Sequence, residues 1–349
     1  MEQNPFSILQ GIAGGYILSR CLHVVADLGV ADVLEETPLT AADIAPLVGA
    51  NTEALSRVLR LLAAHGVFQS QEGKYLHSPL SRMLRTDHPH SVRATVRNLG
   101  ETSNWAAYQE LEYSVRTGLP AGDKIYPGGT WAYKADHPEA NSIFNQAMEI
   151  KARGQVANII AAYDFSGFDV IGDIGGGHGH LLRAVLERVP TAKGVLFEQP
   201  HVIKELEDLA SQRLILKSGD FFKDDLPVCD VYLLMEVIHD WDDDQSVSIL
   251  KAVQRVAPPH SKILLIERVI PEDPGPDWSK VLDIHMLTVF GGRQRTRQEY
   301  EALLDKAGLS IEREITTRSD VSILEAATKN NLQKTVHKKE TYVATSVLH

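Results

Sequence analysis

The sequence predicts an α/β protein, a doubly wound Rossmann-like sheet preceded by a mostly helical N-terminal part. From residue 165 onward, apolar strand-like segments alternate with helical ones, which is typical of a parallel sheet covered by helices on both faces. A glycine-rich turn, 175–179, follows the first of these segments. Two further strand-like segments then follow each other with little room for a helix between them, which favours a C-terminal antiparallel strand pair.

The individual strands follow from runs of apolar and β-branched residues bounded by turn residues. A polar, mixed segment at 329–349 is expected to be a tail. The five alternating strands are expected at 168–174, 194–198, 213–217, 229–235 and 262–268, and the closing pair at 309–317 and 321–327.

The N-terminal part has the order of a winged-helix domain. Apolar residues recur at helical spacing over 6–29, and Gly29 ends that helix. Thr40 is a candidate N-cap for a second helix, a third follows the turn at 49–51, and residues 67–76 fit a small hairpin. These helices have more apolar faces than they can bury alone, so we expect a homodimer.

Composition and charge bear on which partners the protein has. The chain has 349 residues and a formal net charge of −11, with a pI near 5.7. An acidic chain is a poor match for nucleic acid phosphates or an anionic membrane, so we expect neither partner. DNA contact through Arg57 and Arg60 on the third helix is therefore disfavoured against a solvated helix face.

Targeting signals and cysteines favour a cytoplasmic protein. No basic segment with a small-residue cleavage site opens the chain, and no apolar run is expected to reach the length of a membrane span. Cys21 and Cys229 lie far apart without metal-ligand spacing. Two lone thiols fit a reducing compartment better than a disulfide framework.

Polar groups follow the strand ends around the glycine turn, where an α/β sheet binds its ligand. Gly175 and Gly177 let the backbone turn tightly and approach a ligand with no Cβ in the way. Glu198 ends the second strand 21 residues after Gly177 and could accept both hydroxyls of a ribose. After the third strand, Asp220 could accept from an exocyclic amine and Phe221 offers a flat face to a purine.

A histidine and an acid end the next two strands. His239 follows the fourth strand and Glu267 ends the fifth. Neighbouring parallel strands lie about 4.8 Å apart, so these side chains can reach each other. A carboxylate on one imidazole nitrogen would set the tautomer and leave the other nitrogen free. His239 is thus a candidate general base, expected near its ordinary pKa of about 6.5.

These motifs occur in the order of a known family. Asp-x-Gly-Gly-Gly-x-Gly, the acid with Pro-His-Val, Gly-Asp-Phe-Phe, His-Asp-Trp and Gly-Gly-x-x-Arg-Thr follow one another along the chain. The sequence resembles the S-adenosylmethionine-dependent O-methyltransferases of the caffeate, flavonoid and acetylserotonin type and their bacterial natural-product relatives. The resemblance covers nearly the whole chain. It implies a class I methyltransferase fold with an N-terminal winged-helix-like dimerisation domain.

The resemblance also implies a division of the chain and a role for each motif. It implies a dimerisation domain at 1–100, a helical linker and acceptor-pocket region at 101–163, and an S-adenosylmethionine-binding catalytic domain at 164–328. No metal is implied, and the sequence shows no carboxylate cluster of the metal-dependent kind. The residues implied are Asp173, Gly175, Gly177, Glu198, Asp220 and Phe221 for the cofactor, His239, Glu267 and Asp240 for catalysis, and Phe144, Met148 and Gln294 for the acceptor pocket.

Three positions depart from the family pattern. Gln294 stands where many members have Glu, and a neutral amide cannot stabilise an imidazolium by charge. Met235 stands where many members have Lys, and Glu236 beside it is also unusual. These positions concern the tuning of the site more than the reaction class.

The expected function is methyl transfer from S-adenosylmethionine to a hydroxyl of an aromatic or polycyclic small molecule. A second candidate function keeps the cofactor but is hydroxylation or decarboxylation, which Gln294 favours slightly and the His-Asp-Trp motif disfavours. A nicotinamide-dependent dehydrogenase and a winged-helix DNA-binding regulator are two further candidate functions. The glycine spacing disfavours the dehydrogenase, and the acidic pI disfavours the regulator.

Overall fold

The structure is a computed structural model and describes residues 4–329. The chain forms two compact units. Among the described residues, the first contains those up to Gln109 together with Ile125–Lys151, and the second contains Glu110–Lys124 and those from Ala152 to Lys329. Each unit has its own apolar core.

The N-terminal half of the described chain is mostly helical, with a small three-stranded sheet. In chain order its elements are α1 (Pro5–Asp27), α2 (Val30–Val33), β1 (Leu39–Thr40), α3 (Ala41–Leu47), α4 (Thr52–Ala64), β2 (Phe68–Gln71), β3 (Lys74–His77), α5 (Pro79–Arg82), α6 (Arg93–Leu99), α7 (Thr102–Gln109), α8 (Leu111–Thr117), α9 (Ala121–Ile125), α10 (Gly129–Asp136) and α11 (Pro138–Ala162).

Strands and helices alternate in the C-terminal half. In chain order the elements are β4 (Val170–Ile174), α12 (His180–Arg188), β5 (Lys193–Glu198), α13 (Pro200–Glu205), β6 (Leu214–Ser218), β7 (Val231–Met235), α14 (Asp243–Val256), β8 (Lys262–Glu267), β9 (Val269–Ile270), α15 (Trp278–His285), β10 (Arg295–Thr296), α16 (Arg297–Lys306), β11 (Leu309–Thr316) and β12 (Ser322–Thr328), with 3₁₀ turns at Glu207–Leu209 and Ile238–Asp240 and a π-helical turn at Met286–Phe290.

The winged-helix order predicted for the first unit is confirmed. Thr40 caps α3 through a capping box, in which its hydroxyl accepts from the Asp43 N–H and the Asp43 carboxylate accepts from the Thr40 N–H. The Asn51 side chain caps α4. At the hairpin between β2 and β3, Glu72 and Gly73 have φ of 51° and 76°, as a tight two-residue turn requires.

Helix α1 leaves an apolar face uncovered. Phe6, Leu9 and Ile12 are 69%, 67% and 72% exposed. By length and composition alone this helix could cross a membrane, and only 6% of its most apolar 18-residue stretch is buried. The expectation that no segment reaches that length was wrong. An exposed apolar face of this extent indicates a surface that packs against another one.

The second unit contains a seven-stranded sheet with the order β11-β12-β8-β7-β4-β5-β6. Every neighbouring pair from β8 to β6 is parallel, and β12 runs antiparallel to both β8 and β11. The mostly parallel sheet and the antiparallel closing pair are thus confirmed. Of the predicted tail, all but Lys329 lies outside the described residues.

The position of β4 in this sheet determines where a ligand can bind. The chain runs from β4 through β5 to β6 on one side and returns to β7 and β8 on the other. A crevice opens at the carboxyl ends of the strands where the order reverses. Here that point lies between β4, which leads into the glycine turn, and β7, which leads into the turn that carries His239.

Packing on both faces holds these strand ends in place. Tyr232 and Leu234 of β7 point into one apolar core, and Val231 and Leu233 point into the other, as the alternation of a strand requires. Just before β4, the Phe168 N–H donates to the Phe165 carbonyl and the Asp169 N–H donates to the Asp230 carboxylate, so neither group bonds to a neighbouring strand. The predicted strand at 168–174 therefore begins two residues late, at Val170.

Candidate active site

The turn after β4 is built from glycines that other residues could not replace. Gly175, Gly177 and Gly179 have φ of 70°, 56° and 66°, the left-handed region that favours glycine. A Cβ on Gly176 would lie 2.3 Å from the Asp173 carboxyl group, whereas one on Gly177 would meet nothing within 4 Å. The turn therefore presents bare backbone to open space directly before α12.

Asp173 lies beneath this turn, buried and without a cationic partner among the described residues. The residue is 1% exposed, and neither carboxylate oxygen has a hydrogen-bond partner in the described part of the chain. Burial, with the nearby Glu198 carboxylate, raises the pKa of Asp173 to about 7. A cationic amine placed above the turn would supply the missing partner. The site thus suits a ligand that carries a positive charge.

Glu198 is fixed against the glycine turn. Its Oε2 accepts from the Gly177 N–H at 3.0 Å, and its Oε1 accepts from the Gln199 N–H at 2.7 Å. Each carboxylate oxygen has a second lone pair, so the group can still accept from hydroxyls of a ligand. Glu198 and the glycine turn are brought together, as the sequence predicts.

Asp220 and Phe221 lie at the end of β6. The Phe221 ring would be 3.6 Å from a Cβ on Gly175, so it borders the turn. Its edge meets Trp241 at 5.8 Å between ring centroids. Asp220 already accepts from Lys223 Nζ at 2.7 Å and from the Phe222 N–H, and hydrogen bonding to Lys223 lowers its pKa. Phe221 is thus placed at the turn, while Asp220 is engaged by its own loop.

His239 and Glu267 meet at the ends of β7 and β8. Nδ1 of His239 lies 2.8 Å from Oε2 of Glu267, which is fully buried. Glu267 Oε1 accepts from the Ile238 N–H at 2.9 Å and more weakly from the His239 N–H at 3.3 Å. One carboxylate therefore orients both the ring and the backbone of the turn that carries it.

The second ring nitrogen of His239 is not free, which corrects the expectation from sequence. Nε2 lies 3.3 Å from Oδ1 of Asp240. Burial by itself lowers the pKa of His239, but Glu267 and Asp240 outweigh it and raise the pKa to about 10. The expected pKa near 6.5 was therefore wrong. Between its two carboxylates, this histidine is an imidazolium at neutral pH.

The three departures from the family pattern have distinct environments. Gln294 is 1% exposed, and neither of its amide atoms has a hydrogen-bond partner among residues 4–329; its backbone N–H donates to Asp283. Glu236 has a φ of 53°, a strained backbone immediately before the turn of His239. Met235 packs partly buried against one core of the sheet.

Arg295 is a buried residue beside the site to which sequence reasoning assigned no role. It is fully buried, and its guanidinium donates to the carbonyls of Ile238 and Trp241 at 3.1 and 2.9 Å. It also ion-pairs with Asp243 at 2.8 Å. These bonds hold the backbone of the turn both before and after His239. The Gly-Gly-x-x-Arg-Thr motif contains Arg295, and an arginine directly before a threonine that can cap a helix is the signal that could have found it.

The same motif also contacts the backbone of the turn that carries His239. A Cβ on Gly292 would lie 2.1 Å from the His239 carbonyl oxygen, which accepts from the Arg293 N–H at 2.8 Å. Only a glycine permits this approach.

Phe144 and Met148 belong to the first unit. Both lie on α11, four residues apart, and the Phe144 ring meets the Trp131 ring edge-to-face at 5.4 Å. The rest of the predicted site residues lie together in the second unit. In the described part of the chain, no three His, Cys, Asp or Glu side chains are grouped so as to hold a metal ion.

Comparisons with known proteins agree with this arrangement. The sequence model of the O-methyltransferase domain matches residues 108–310, and that of the O-methyltransferase dimerisation domain matches residues 11–87. The chain is 38% identical to the phenazine O-methyltransferase PhzM of Lysobacter antibioticus, over 92% of this chain and 95% of that protein. It is 36% identical to the mitomycin biosynthesis 6-O-methyltransferase of Streptomyces lavendulae, over 90% of each.

A solved methyltransferase structure is also similar. CalO1, a methyltransferase in calicheamicin biosynthesis in its SAH-bound form, aligns with a TM-score of 0.83 and 31% identity, over 94% of this chain and 100% of that one.

Proposed function

Because the chain belongs to the S-adenosylmethionine-dependent O-methyltransferases, we propose that His239 is the general base of its methyl transfer. The acceptor is a hydroxyl of an aromatic or polycyclic small molecule, the class to which the named substrates of its relatives belong. The observation that carries the proposal is the buried pair of His239 and Glu267 at 2.8 Å, on the strand beside the glycine turn. A dehydrogenase or a DNA-binding regulator is set aside, since the two O-methyltransferase domain families account for most of the chain.

The residues around the glycine turn suit S-adenosylmethionine. The unpartnered Asp173 carboxylate would take the amino group of its methionine part, and Gly175 and Gly177 would leave room for the chain. Glu198 would accept the ribose hydroxyls, and Phe221 with Asp220 would hold the adenine. When bound, the sulfonium supplies an electrophilic methyl group.

His239 must lose a proton before it can take one. Wedged between Glu267 and Asp240, it holds a proton on each nitrogen at neutral pH. A cation bound nearby would disfavour that imidazolium by like-charge repulsion, and the Nε2 proton would pass to the Asp240 carboxylate 3.3 Å away and from there to solvent. With Glu267 holding Nδ1–H, Nε2 can then accept the proton of the acceptor hydroxyl. Asp240, whose side chain is 39% exposed, has room to turn away.

The remaining barrier is lowered by alignment. Holding the acceptor oxygen in line with the methyl group can supply roughly 7–11 kcal/mol, and a positioned base roughly 100- to 10,000-fold in rate. Arg295 and Glu267 contribute by fixing the turn of His239. The buried, unpartnered amide of Gln294 is available to hydrogen-bond the acceptor as donor and acceptor at once.

We assign the dimerisation role to residues 1–100, the acceptor pocket to the region 101–163 with Phe144 and Met148, and catalysis to 164–328. The homodimer would cover the exposed apolar face of α1, a helix that lies in the matched dimerisation domain from residue 11 onward. We further propose a cytoplasmic location, which fits two cysteines that form no disulfide.

The decisive variant is His239→Ala. It is expected to lower the transfer of labelled methyl to a panel of hydroxylated aromatics by roughly 100- to 10,000-fold. Affinity for S-adenosylmethionine, measured by calorimetry, should not fall, because the imidazolium that opposes the bound cation is absent from this variant. The control is His65→Ala, which removes an exposed imidazole at the end of α4. Wild-type turnover in His239→Ala would contradict the assignment.

A further inference from the structure

Glu236 has a backbone conformation that its residue type disfavours. It follows β7 and has a φ of 53°, in the left-handed region that strains a residue with a side chain. Among residues 4–329, Glu72 is the other non-glycine residue with a positive φ, at 51°. Glu72 is exposed in the hairpin between β2 and β3, and that tight turn accounts for its φ. Glu236 lies in no hairpin, so its surroundings must hold it.

A buried arginine contacts the side chain of Glu236. Arg268 directly follows β8 and is 6% exposed. Its Nη1 lies 3.5 Å from Oε1 of Glu236. Its Nε donates at 2.9 Å to Oδ2 of Asp320, in the turn between β11 and β12. Oδ1 of Asp320 accepts from the buried Gln155 side chain at 3.0 Å. Arg268 is therefore fixed by Asp320 and can keep the Glu236 carboxylate in place.

The conformation of Glu236 directs the chain towards two parts of the site. The next residue, Val237, borders the glycine turn, since a Cβ on Gly175 would lie 3.2 Å from the Val237 side chain. The two residues after Val237 donate their N–H groups to Oε1 of Glu267. Because φ and ψ are the only soft dihedrals of the backbone, a different φ at Glu236 would redirect both contacts.

We propose that Arg268, acting through Glu236, is a positioning residue for the methyl transfer. The ion pair keeps Glu236 left-handed, and that conformation places Val237 beside the glycine turn and the His239 ring on its carboxylate partner. This role rests on the proposed function, because it takes His239 as the group that must be placed.

Two substitutions at Glu236 separate the backbone from the ion pair. Both remove the same charge, but glycine adopts a positive φ without support and alanine does not. Glu236→Ala should lower kcat for labelled methyl transfer to hydroxylated aromatics at least about tenfold, as a misplaced catalytic group does. Glu236→Gly should restore kcat to at least about a third of the wild-type value. Glu72→Ala changes the left-handed glutamate of the first unit and is the matched control, with kcat unchanged.

The ionisation of His239 is a readout that a loss of stability alone would not move. Burial lowers the pKa of His239, but Glu267 and Asp240 raise it further than burial lowers it. The measurement follows the imidazole nitrogen resonances of the cofactor-free full chain that disappear in His239→Ala. In Glu236→Ala they should titrate at lower pH than in the wild type, because the ring has left its carboxylate partner. In Glu236→Gly they should titrate as in the wild type.

Substitution of Arg268 tests that residue directly. Arg268→Met should reproduce the titration shift of Glu236→Ala. In the Glu236→Gly background it should add no further shift, because glycine needs no ion pair to remain left-handed. Arg268→Lys keeps a charge near the carboxylate and should shift the titration less. The Tm of each variant reports its folding, and if Arg268→Met does not fold, the two Glu236 variants still decide.

Either of two results would overturn the proposal. One is an equal titration in Glu236→Ala and Glu236→Gly. The other is an Arg268→Met shift of the same size in both backgrounds. The titration requires neither acceptor nor turnover, so it reads the placement of the ring whether or not His239 is the base. Wild-type turnover in His239→Ala would remove the proposed function and leave that placement as measured.

Discussion

Replacing Glu267 by Gln tests whether that carboxylate controls the ionisation of His239. The change is isosteric, and the amide oxygen can still accept from the Ile238 N–H, as Oε1 does now at 2.9 Å. Oε2, however, lies 2.8 Å from Nδ1 and contributes a full negative charge. Losing a charge at this distance should lower the pKa of His239 from about 10 by roughly 1–3. A pKa change of one corresponds to a free-energy change of about 1.4 kcal/mol.

A second consequence concerns the tautomer. The amide NH₂ of the new side chain can donate to Nδ1, which places the remaining proton on Nε2, the nitrogen that should act as base. We therefore expect kcat to fall roughly 100- to 10,000-fold, as misplacing this proton does in other histidine-acid pairs.

The assay follows the initial rate of labelled methyl transfer from pH 6 to 10, together with the imidazole nitrogen resonances of the cofactor-free protein. In Glu267→Gln the resonances should titrate at lower pH than in the wild type, and the maximal rate should be lower at every pH. Glu272→Gln, at an exposed acid beyond β9, is the control. Wild-type rates with an unshifted titration would refute the role given to Glu267.

Three further outcomes are expected. Because the pKa of Asp173 is raised to about 7, the folded protein keeps this proton to higher pH than the unfolded chain, and the free energy of unfolding falls as pH rises from about 4 to 7. Asp173→Asn should therefore raise the Tm of the cofactor-free protein at pH 8 and weaken S-adenosylmethionine binding at least about tenfold. A lower Tm with unchanged affinity would count against this reasoning. Arg295→Lys cannot bridge the Ile238 and Trp241 carbonyls, so stopped-flow assays should show kcat reduced roughly tenfold with unchanged cofactor affinity, and an unchanged kcat would argue against a positioning role. Light scattering should give the mass of a dimer, and Ile12→Glu on the exposed face of α1 should shift it towards monomer; a monomeric wild type would disprove the homodimer.

The sheet and the glycine turn could be predicted from sequence because local patterns determine them. Unbroken apolar runs such as Val231–Met235 identify strands buried on both faces. Glycines at alternate positions identify a turn with positive φ. The meeting of His239 with Glu267 followed from the spacing of parallel strands, since it needs only that two neighbouring strands end at the same edge.

The ionisation of the site could not be predicted in this way. That Nε2 of His239 faces Asp240 depends on how the 3₁₀ turn directs two adjacent side chains. Gln294 is buried, and neither of its amide atoms has a hydrogen-bond partner in the described chain, a state that its place in the motif does not reveal. Arg295 reaches carbonyls more than fifty residues away. Each depends on side-chain direction and on contacts distant in sequence, and neither hydrophobic period nor motif spacing records them.

The most direct test of the central claim is a crystal structure of the enzyme with S-adenosylhomocysteine and a methylatable acceptor. We predict that Nε2 of His239 lies about 2.6–3.2 Å from the acceptor hydroxyl oxygen, with Glu267 still on Nδ1 and Asp240 turned aside. An acceptor oxygen placed several ångströms from that nitrogen, with no water between them, would contradict the assignment of His239 as the base.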